Sequence, residues 1–360
     1  MSYFLAFLGF VMLVILHEAG HFAAAKAVGM RVERFALFFP PLLVRKKIGE
    51  TEYAIGAIPA GGYVKISGMN PSEDLPDEVR TRAYYAQPPW KRVVVIAAGP
   101  AVNFVLAFLL LWIFVMVHGP EVPTRKVESV AKGLPAAGVL HPGDKIVAID
   151  GHAGGPQRFR ALIQHHRCAQ LPPRSACRAT TPATALVVRG GRRLILHVTP
   201  QFDARSNPPA MKFGFTYASR GDPEPAGKAV STAASQFWYF ARRTVALPLR
   251  VFDAKKRKEI GSAVGAYEVT RQTIQSDATL AIGIIALISL SLAIVNLYPF
   301  LPLDGGHIFW AVVEKVRRRP VAFSTMERAS IIGFALVLAF FFIGLSNDIG
   351  RLTGEGFQTR

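Results

Sequence analysis

Three residues near the start of the chain, His17, Glu18 and His21, interrupt the apolar stretch "LVILHEAGHFAAAKAVG". Two histidines four apart fall on one face of a helix, one turn from each other. Neutral imidazoles at that spacing can share one Zn2+ ion. Glu18, next to the first histidine, can take a proton from a water held there without being a ligand itself, which is the logic of HExxH. Zinc brings the pKa of its water to about 7 and so supplies hydroxide where free hydroxide is scarce. A soluble surface helix carries such residues at little cost. Inside an apolar span they are expensive, and function is the default reading.

Two histidines leave the ion short of a third protein ligand, and the candidate lies far along the chain in "VNLYPFLPLDGGH", Val295 to His307. Asp304 is an acid in an apolar run, followed by Gly305 and Gly306 and preceded by Pro299 and Pro302. The prolines break a helix and free backbone groups. At membrane depth such backbone is tolerated where it lines a cavity. Asn296 falls in the same break, with an amide able to bond a peptide backbone. The bland alternative is a helix end capped by Asp and Gly just outside the membrane.

These residues need elements long enough to bring them together. The 360-residue chain is 51% hydrophobic, with its apolar residues gathered in four blocks, about 3–27, 93–117, 278–300 and 329–346. Each approaches the roughly 20 residues that cross a hydrocarbon core. A cleaved signal peptide is the rival reading of the first block. It lacks a basic start, and its apolar run carries His and Glu. The net charge of +18 fits no nucleic-acid module, because no basic run is interleaved with aromatics in a known nucleic-acid fold. Arg45, Lys46, Lys47, Lys91 and Arg92 lie between blocks one and two, and Lys315 and Arg317 to Arg319 between three and four. The positive-inside rule puts these two loops in the cytoplasm and both termini outside. Helix one then runs inward, with His17 about 14 residues, or roughly 21 Å, along it. Helix three also runs inward, with Asp304 at its far end. Both motifs fall in the cytoplasmic half and can meet.

The expected divisions are helix one at 1–28, a membrane-associated β segment and loop at 29–92, helix two at 93–118, and an extramembrane module at 119–220. Amphipathic linker helices at 221–277, helix three at 278–306, a basic loop at 307–328, helix four at 329–346 and a tail at 347–360 complete the chain. The β segment alternates apolar and polar residues between Pro and Gly, which reads as short strands with turns. It is either a small surface sheet or an edge on which an extended peptide is laid. In the linker, "FWYFARR" reads as an interfacial amphipathic helix or as a helix packed on the module. In the module, "ALVVRGGRRLILHVTP" is a hairpin turning at Gly190-Gly191. Cys168 and Cys177 lie in the loop placed outside, where a disulfide can form; two free thiols are the alternative.

"GLPAAGVLHPGDKIVAIDG" resembles the PDZ domains of bacterial proteases, modules that take extended peptides along a sheet edge. The whole pattern resembles the site-2 proteases (peptidase family M50), the intramembrane zinc metalloproteases, and within them the bacterial regulator-of-sigma-E branch. HExxH in helix one, "GPAVNF" (Gly99 to Phe104) opening helix two, one PDZ module and the Asn-x-x-Pro…Asp-Gly motif in helix three carry that resemblance. It implies His17, His21 and Asp304 as ligands of one Zn2+ per chain, Glu18 as general base and Asn296 as a substrate contact. Gly99 and Asn103 match the family's G-x-x-x-N turn and are grouped with the substrate-binding residues, with a structural role near the site. Two departures stand out: the second proline is displaced to Pro302, Leu301 standing in its usual place, and one PDZ module is present where the best-known relatives carry two.

The expected fold class is thus an α-helical polytopic membrane protein of four transmembrane helices, with a membrane-associated β segment and one extracytoplasmic PDZ-like α+β domain. The expected activity is intramembrane hydrolysis of peptide bonds in single-pass membrane protein substrates, such as an anti-sigma factor or signal-peptide remnants, in the inner or plasma membrane. The lipid bilayer, and an extended peptide at the PDZ groove, are the other expected partners; nucleic acid is not. A transporter whose His and Asp relay ions, and a catalytically silent PDZ scaffold, are the rivals.

Overall fold

A computed structural model describes residues 1–70, 73–170, 172–204, 209–253, 257, 260–319 and 321–353. It divides into two compact units, Met1–His118 with Glu224–Arg360, and Gly119–Pro223.

Among the described residues of the first unit, four helices are long and apolar enough to cross a membrane: α1 (Ser2–Ala27), α2 (Pro89–Val117), α6 (Ala278–Asn296) and, from Ser324, α8 (Phe323–Thr353). Helix α2 starts ahead of its apolar block because Pro89 sits in its first turn, where a missing N–H costs nothing. Helix α8 extends beyond the apolar 329–346 at both ends, and residues 354–360 of the expected tail lie outside the described residues. Its Ile331, Ile332, Phe334 and Phe342 are exposed, as lipid-facing side chains are.

The third span is not one helix to residue 306. Helix α6 stops at Asn296, residues 297–303 are irregular, and a new helix, α7 (Asp304–Arg317), begins at the aspartate. Pro299 and Pro302 supply no N–H to a continuing helix. Residues expected as a basic loop after 306 therefore start as helix. The break folds tightly onto the start of α7: a Cβ at Gly305 would lie 2.2 Å from the Leu297 carbonyl oxygen, and one at Gly306 2.5 Å from the Leu301 nitrogen.

Helix α2 is the hub, packing against α1, α6, α7 and α4 (Ala226–Val245). Small residues permit the approach; a Cβ on Gly20 of α1 would lie 2.6 Å from the Ala98 carbonyl oxygen of α2. Helix α4, expected at the interface or against the extramembrane module, runs beside α2. Its buried Ala229 and Ala233 pack with Leu111 and Val115, and Ala241 packs with Ala107. The alanine stripe lets the helix lie close, while Arg242 and Arg243 cover Trp238 and Tyr239 on its exposed side. Helix α5 (Ala263–Ser276) is capped by Ser262 and held by Asp348 of α8, whose carboxylate accepts the N–H groups of Ser262 and Gly265.

Two long strands, β1 (Val32–Ile48) and β2 (Thr51–Ile66), each bend back on themselves. Residues 34–37 pair both with 52–55 and with 62–65, while 42–48 pair with 51–56. Four short stretches result, in the order 42–48, 51–56, 32–37, 62–66. The last lies against α1, where a Cβ on Gly62 would lie 3.0 Å from Cγ of Glu18.

The second unit is an antiparallel sheet of order β10-β3-β4-β6-β7, with a short β5 on β4. Its strands are β3 (Glu121–Val130), β4 (Lys145–Ile149), β5 (His152–Ala153), β6 (Ala183–Arg189), β7 (Arg192–Val198) and β10 (Phe215–Gly221); β8 (Gln201–Asp203) and β9 (Ala210–Lys212) pair separately. Helix α3 (Pro156–His165) buries Phe159 and Ile163 in a core with Val127, Ile146, Ile149, Val187 and Phe213. The β6–β7 hairpin turns at Gly190 and Gly191, both at positive φ, as a two-residue primed turn requires. Cys168 and Cys177 form a disulfide.

Asp144, 1% exposed, fixes the turn into β4 by accepting from the His141 N–H and from Nε and Nη2 of Arg189. Burial pushes its pKa up, but Arg189 and the His141 N–H outweigh that and hold it below its ordinary 3.8. Its contribution is therefore present above that value and lost as pH falls. Asp144→Asn is expected to cost the unit about 1–3 kcal/mol at neutral pH. The difference from wild type, read by thermal unfolding of the full chain in detergent, shrinks below about pH 4.

Candidate metal centre

One face of α1 is turned inward: Ala6, Leu13, His17, Gly20, His21 and Ala25 are buried. His17 and His21 stand edge to face with ring centroids 4.8 Å apart. Their Nε2 atoms are 3.2 Å from each other. Asp304 Oδ2 lies 3.2 Å from Nε2 of His17 and 3.3 Å from Nε2 of His21. A tetrahedral ion with bonds of about 2.0–2.1 Å holds its ligand atoms about 3.3 Å apart. The three atoms thus mark one face of such a tetrahedron and leave its fourth corner free.

The chemistry of the donor set agrees with the distances. Two neutral imidazole lone pairs and a carboxylate oxygen are all acceptors, and acceptors facing one another in a buried site repel unless a cation lies between them. Asp304 Oδ2 is buried with no well-aligned hydrogen-bond donor despite its two close nitrogens. The far sides of both rings are engaged by α2. His21 Nδ1 donates to the Val95 carbonyl at 2.9 Å, and His17 Nδ1 faces the Asn103 amide at 3.4 Å. Such outer contacts turn a ligand nitrogen inward and hold it there. The residues fit a zinc ion.

The remaining sequence candidates fall around this triangle. Glu18 is half-buried on α1, beside the 62–66 stretch of β2, where a Cβ on Gly62 would lie 3.0 Å from its Cγ. Gly99 faces His21 directly: a Cβ there would lie 2.3 Å from Nε2, so only glycine admits the ring. Asn103 is fully buried behind His17, and its carbonyl accepts from Ser289 Oγ. Asn296 ends α6, half-buried, and among the described residues its side chain makes no hydrogen bond.

Other contributors have weak sequence signals or none. Val95 acts through a main-chain atom, to which side-chain type is blind. Gly62 is visible only as half of a Gly-Gly pair. The Arg92–Glu314 ion pair joins α2 to α7, and Glu314 also accepts the Val321 N–H; neither charge pattern nor spacing announces a pair 222 residues apart.

Comparison with known proteins agrees with this geometry. A sequence model described as Peptidase family M50 matches residues 5–340. Metalloprotease MmpA of Caulobacter vibrioides is 29% identical, over 94% of this chain and 92% of the relative. Relatives named as zinc metalloproteases include one from Mesorhizobium japonicum, 30% identical over 93% of this chain and 95% of its own length. Another, from Campylobacter jejuni, is 28% identical over 95% and 92%. Nearly the whole chain is covered, including both segments that meet at the candidate centre, and the chain therefore belongs to peptidase family M50 and is a zinc metalloprotease.

Proposed function

We propose that this multi-pass membrane protein hydrolyses peptide bonds within the membrane-spanning segments of other proteins, with His17, His21 and Asp304 holding the zinc ion and Glu18 as general base. The convergence of three atoms at 3.2–3.3 Å, two from a helix long and apolar enough to cross a membrane and the third from the helix that begins just beyond the span Ala278–Asn296, carries this reading.

A peptide bond inside a helix is protected because its carbonyl is already hydrogen-bonded and water is scarce. Cleavage there requires local unwinding of the substrate and delivery of water. Bound zinc supplies a lowered water pKa and polarisation of the scissile carbonyl. Glu18 takes the proton from the attacking water and passes it to the departing amide nitrogen. The free amide of Asn296 holds the unwound backbone, and the 62–66 edge of the β segment offers it a strand partner.

The second unit supports a PDZ-like role. A cleft of about 530 Å3 lies between α3, with Arg160, Ile163 and Gln164, and residues 210–217. Strand β10 ends the sheet there, so an extended peptide has an edge to join and a helix to lie against. The unit would admit or dock substrates already shortened by another protease. Its disulfide supports an extracytoplasmic location, with both termini on the same side, the active site toward the cytoplasm, and the chain in the inner or plasma membrane.

Glu18→Gln is expected to lower cleavage of a membrane-spanning reporter by about 10²–10⁴-fold while zinc stays bound; undiminished cleavage would remove Glu18 from the role of base. Elemental analysis of the purified chain is expected to find one zinc ion, absent from Asp304→Ala. A chain that keeps its zinc after this change has its third ligand elsewhere. For sidedness, a membrane-impermeant thiol reagent added outside intact cells after reduction is expected to label Cys168 and Cys177. Labelling only after the membrane is opened would reverse the topology.

A further inference from the structure

Three residues of α2 at helical spacing, Val95, Gly99 and Asn103, face the two histidines of α1. Val95 takes the Nδ1–H of His21 on its carbonyl at 2.9 Å. Gly99 makes room for the same ring. The third residue stands in the same relation to His17: the Asn103 side-chain amide lies 3.4 Å from His17 Nδ1.

His17 Nε2 points at His21 Nε2 and Asp304 Oδ2. A nitrogen that binds an ion carries no proton, so a neutral His17 must keep its proton on Nδ1. That proton needs an acceptor, because a buried donor left unpaired costs about 1–3 kcal/mol. Placed with its NH2 toward the ring, the Asn103 amide would set donor against donor. In the same placement its Oδ1 is buried with no partner. The two ends of an amide have nearly the same shape, and their assignment follows from hydrogen bonding. Rotating the amide by half a turn gives the Nδ1–H its acceptor and gives Oδ1 its donor. Asn103 is fixed for this task, being fully buried, with its own carbonyl tied to buried Ser289 Oγ at 3.0 Å.

We infer that Asn103 is a positioning residue for His17: its Oδ1 accepts the Nδ1–H and thereby selects the ring tautomer that presents Nε2 to zinc. This rests on the proposed ligand set. It assigns Asn103 to the metal rather than to the substrate, with which the sequence motif had grouped it. Outer partners of this kind are worth about 10–100-fold in metal affinity.

The test measures zinc affinity of the full-length protein in detergent by competition with a chelator, independently of activity. Asn103→Leu fills the space without an acceptor and is expected to weaken zinc binding by about 10–100-fold. Asn103→Asp restores an acceptor and is expected to bind zinc within a few-fold of wild type. Thermal unfolding of the zinc-free proteins checks that the bundle is intact; should the leucine variant not fold, Asn103→Ala replaces it with the same expectation. Equal affinity in wild type and leucine variant overturns the inference. So does equal loss in the Leu and Asp variants, which would make Asn103 a matter of shape alone. A wild-type chain that binds no zinc sinks the ligand set instead, and the two failures are thereby told apart.

Discussion

Two imidazole nitrogens and a carboxylate oxygen lie within 3.3 Å of one another in a low-dielectric interior, and with both nitrogens unprotonated they repel unless a cation lies between them. Packing alone would not choose such an arrangement, since each polar group withdrawn from water without a partner costs a few kcal/mol. A divalent cation turns the same arrangement from repulsive to attractive. The rest of the bundle can be understood as the scaffold that holds this cluster against its own repulsion. Helix α1 supplies two of the three proposed ligands from one turn, and α2 backs both rings. The break after α6 brings the third proposed ligand, Asp304, in at the first residue of α7.

Close approach between these helices relies on residues without side chains. Gly20 meets the Ala98 carbonyl and Gly99 meets the His21 ring, so α1 and α2 touch nearly backbone to backbone around the histidines. Gly305 and Gly306 do the same for the break. In lipid, where burying apolar surface drives no helix association, small residues and interhelical polar contacts must do it. The candidate metal site is built from just these contacts, so its geometry and the bundle's packing are one constraint.

Much of this was legible because the cost of charge in lipid sharpens the signal. His17, Glu18, His21 and Asp304 stand out against their apolar neighbours, and a depth count along two inward-running spans brought Asp304 to the histidines. The four apolar blocks likewise mark the four long helices. The direction of α4 was hidden. Its aromatic-arginine pattern reads as interfacial, while the alanine stripe that seats it beside α2 is weak against so many helix-neutral residues. That α7 starts at Asp304 was obscured because prolines announce where a helix stops but not where the next one starts. The double pairing of residues 34–37 escaped because alternation shows which faces are apolar and never which strand lies next to which.

The β segment and the catalytic cluster are joined at one point, which gives the fold a logic beyond positioning zinc ligands. Gly62 leaves room for Cγ of the Glu18 side chain, 3.0 Å from where its own Cβ would stand. Residues 62–66 are also an outer stretch of the sheet, paired on one side with 32–37. A strand added to that outer edge would extend the sheet beside α1, where Glu18 stands. Backbone hydrogen bonds hold such a strand irrespective of its side chains. On the proposed function, the element that would capture an unwound backbone and the element beside the proposed base are the same stretch of chain. On that reading, a substrate that remains helical would expose no free strand edge and could not use it.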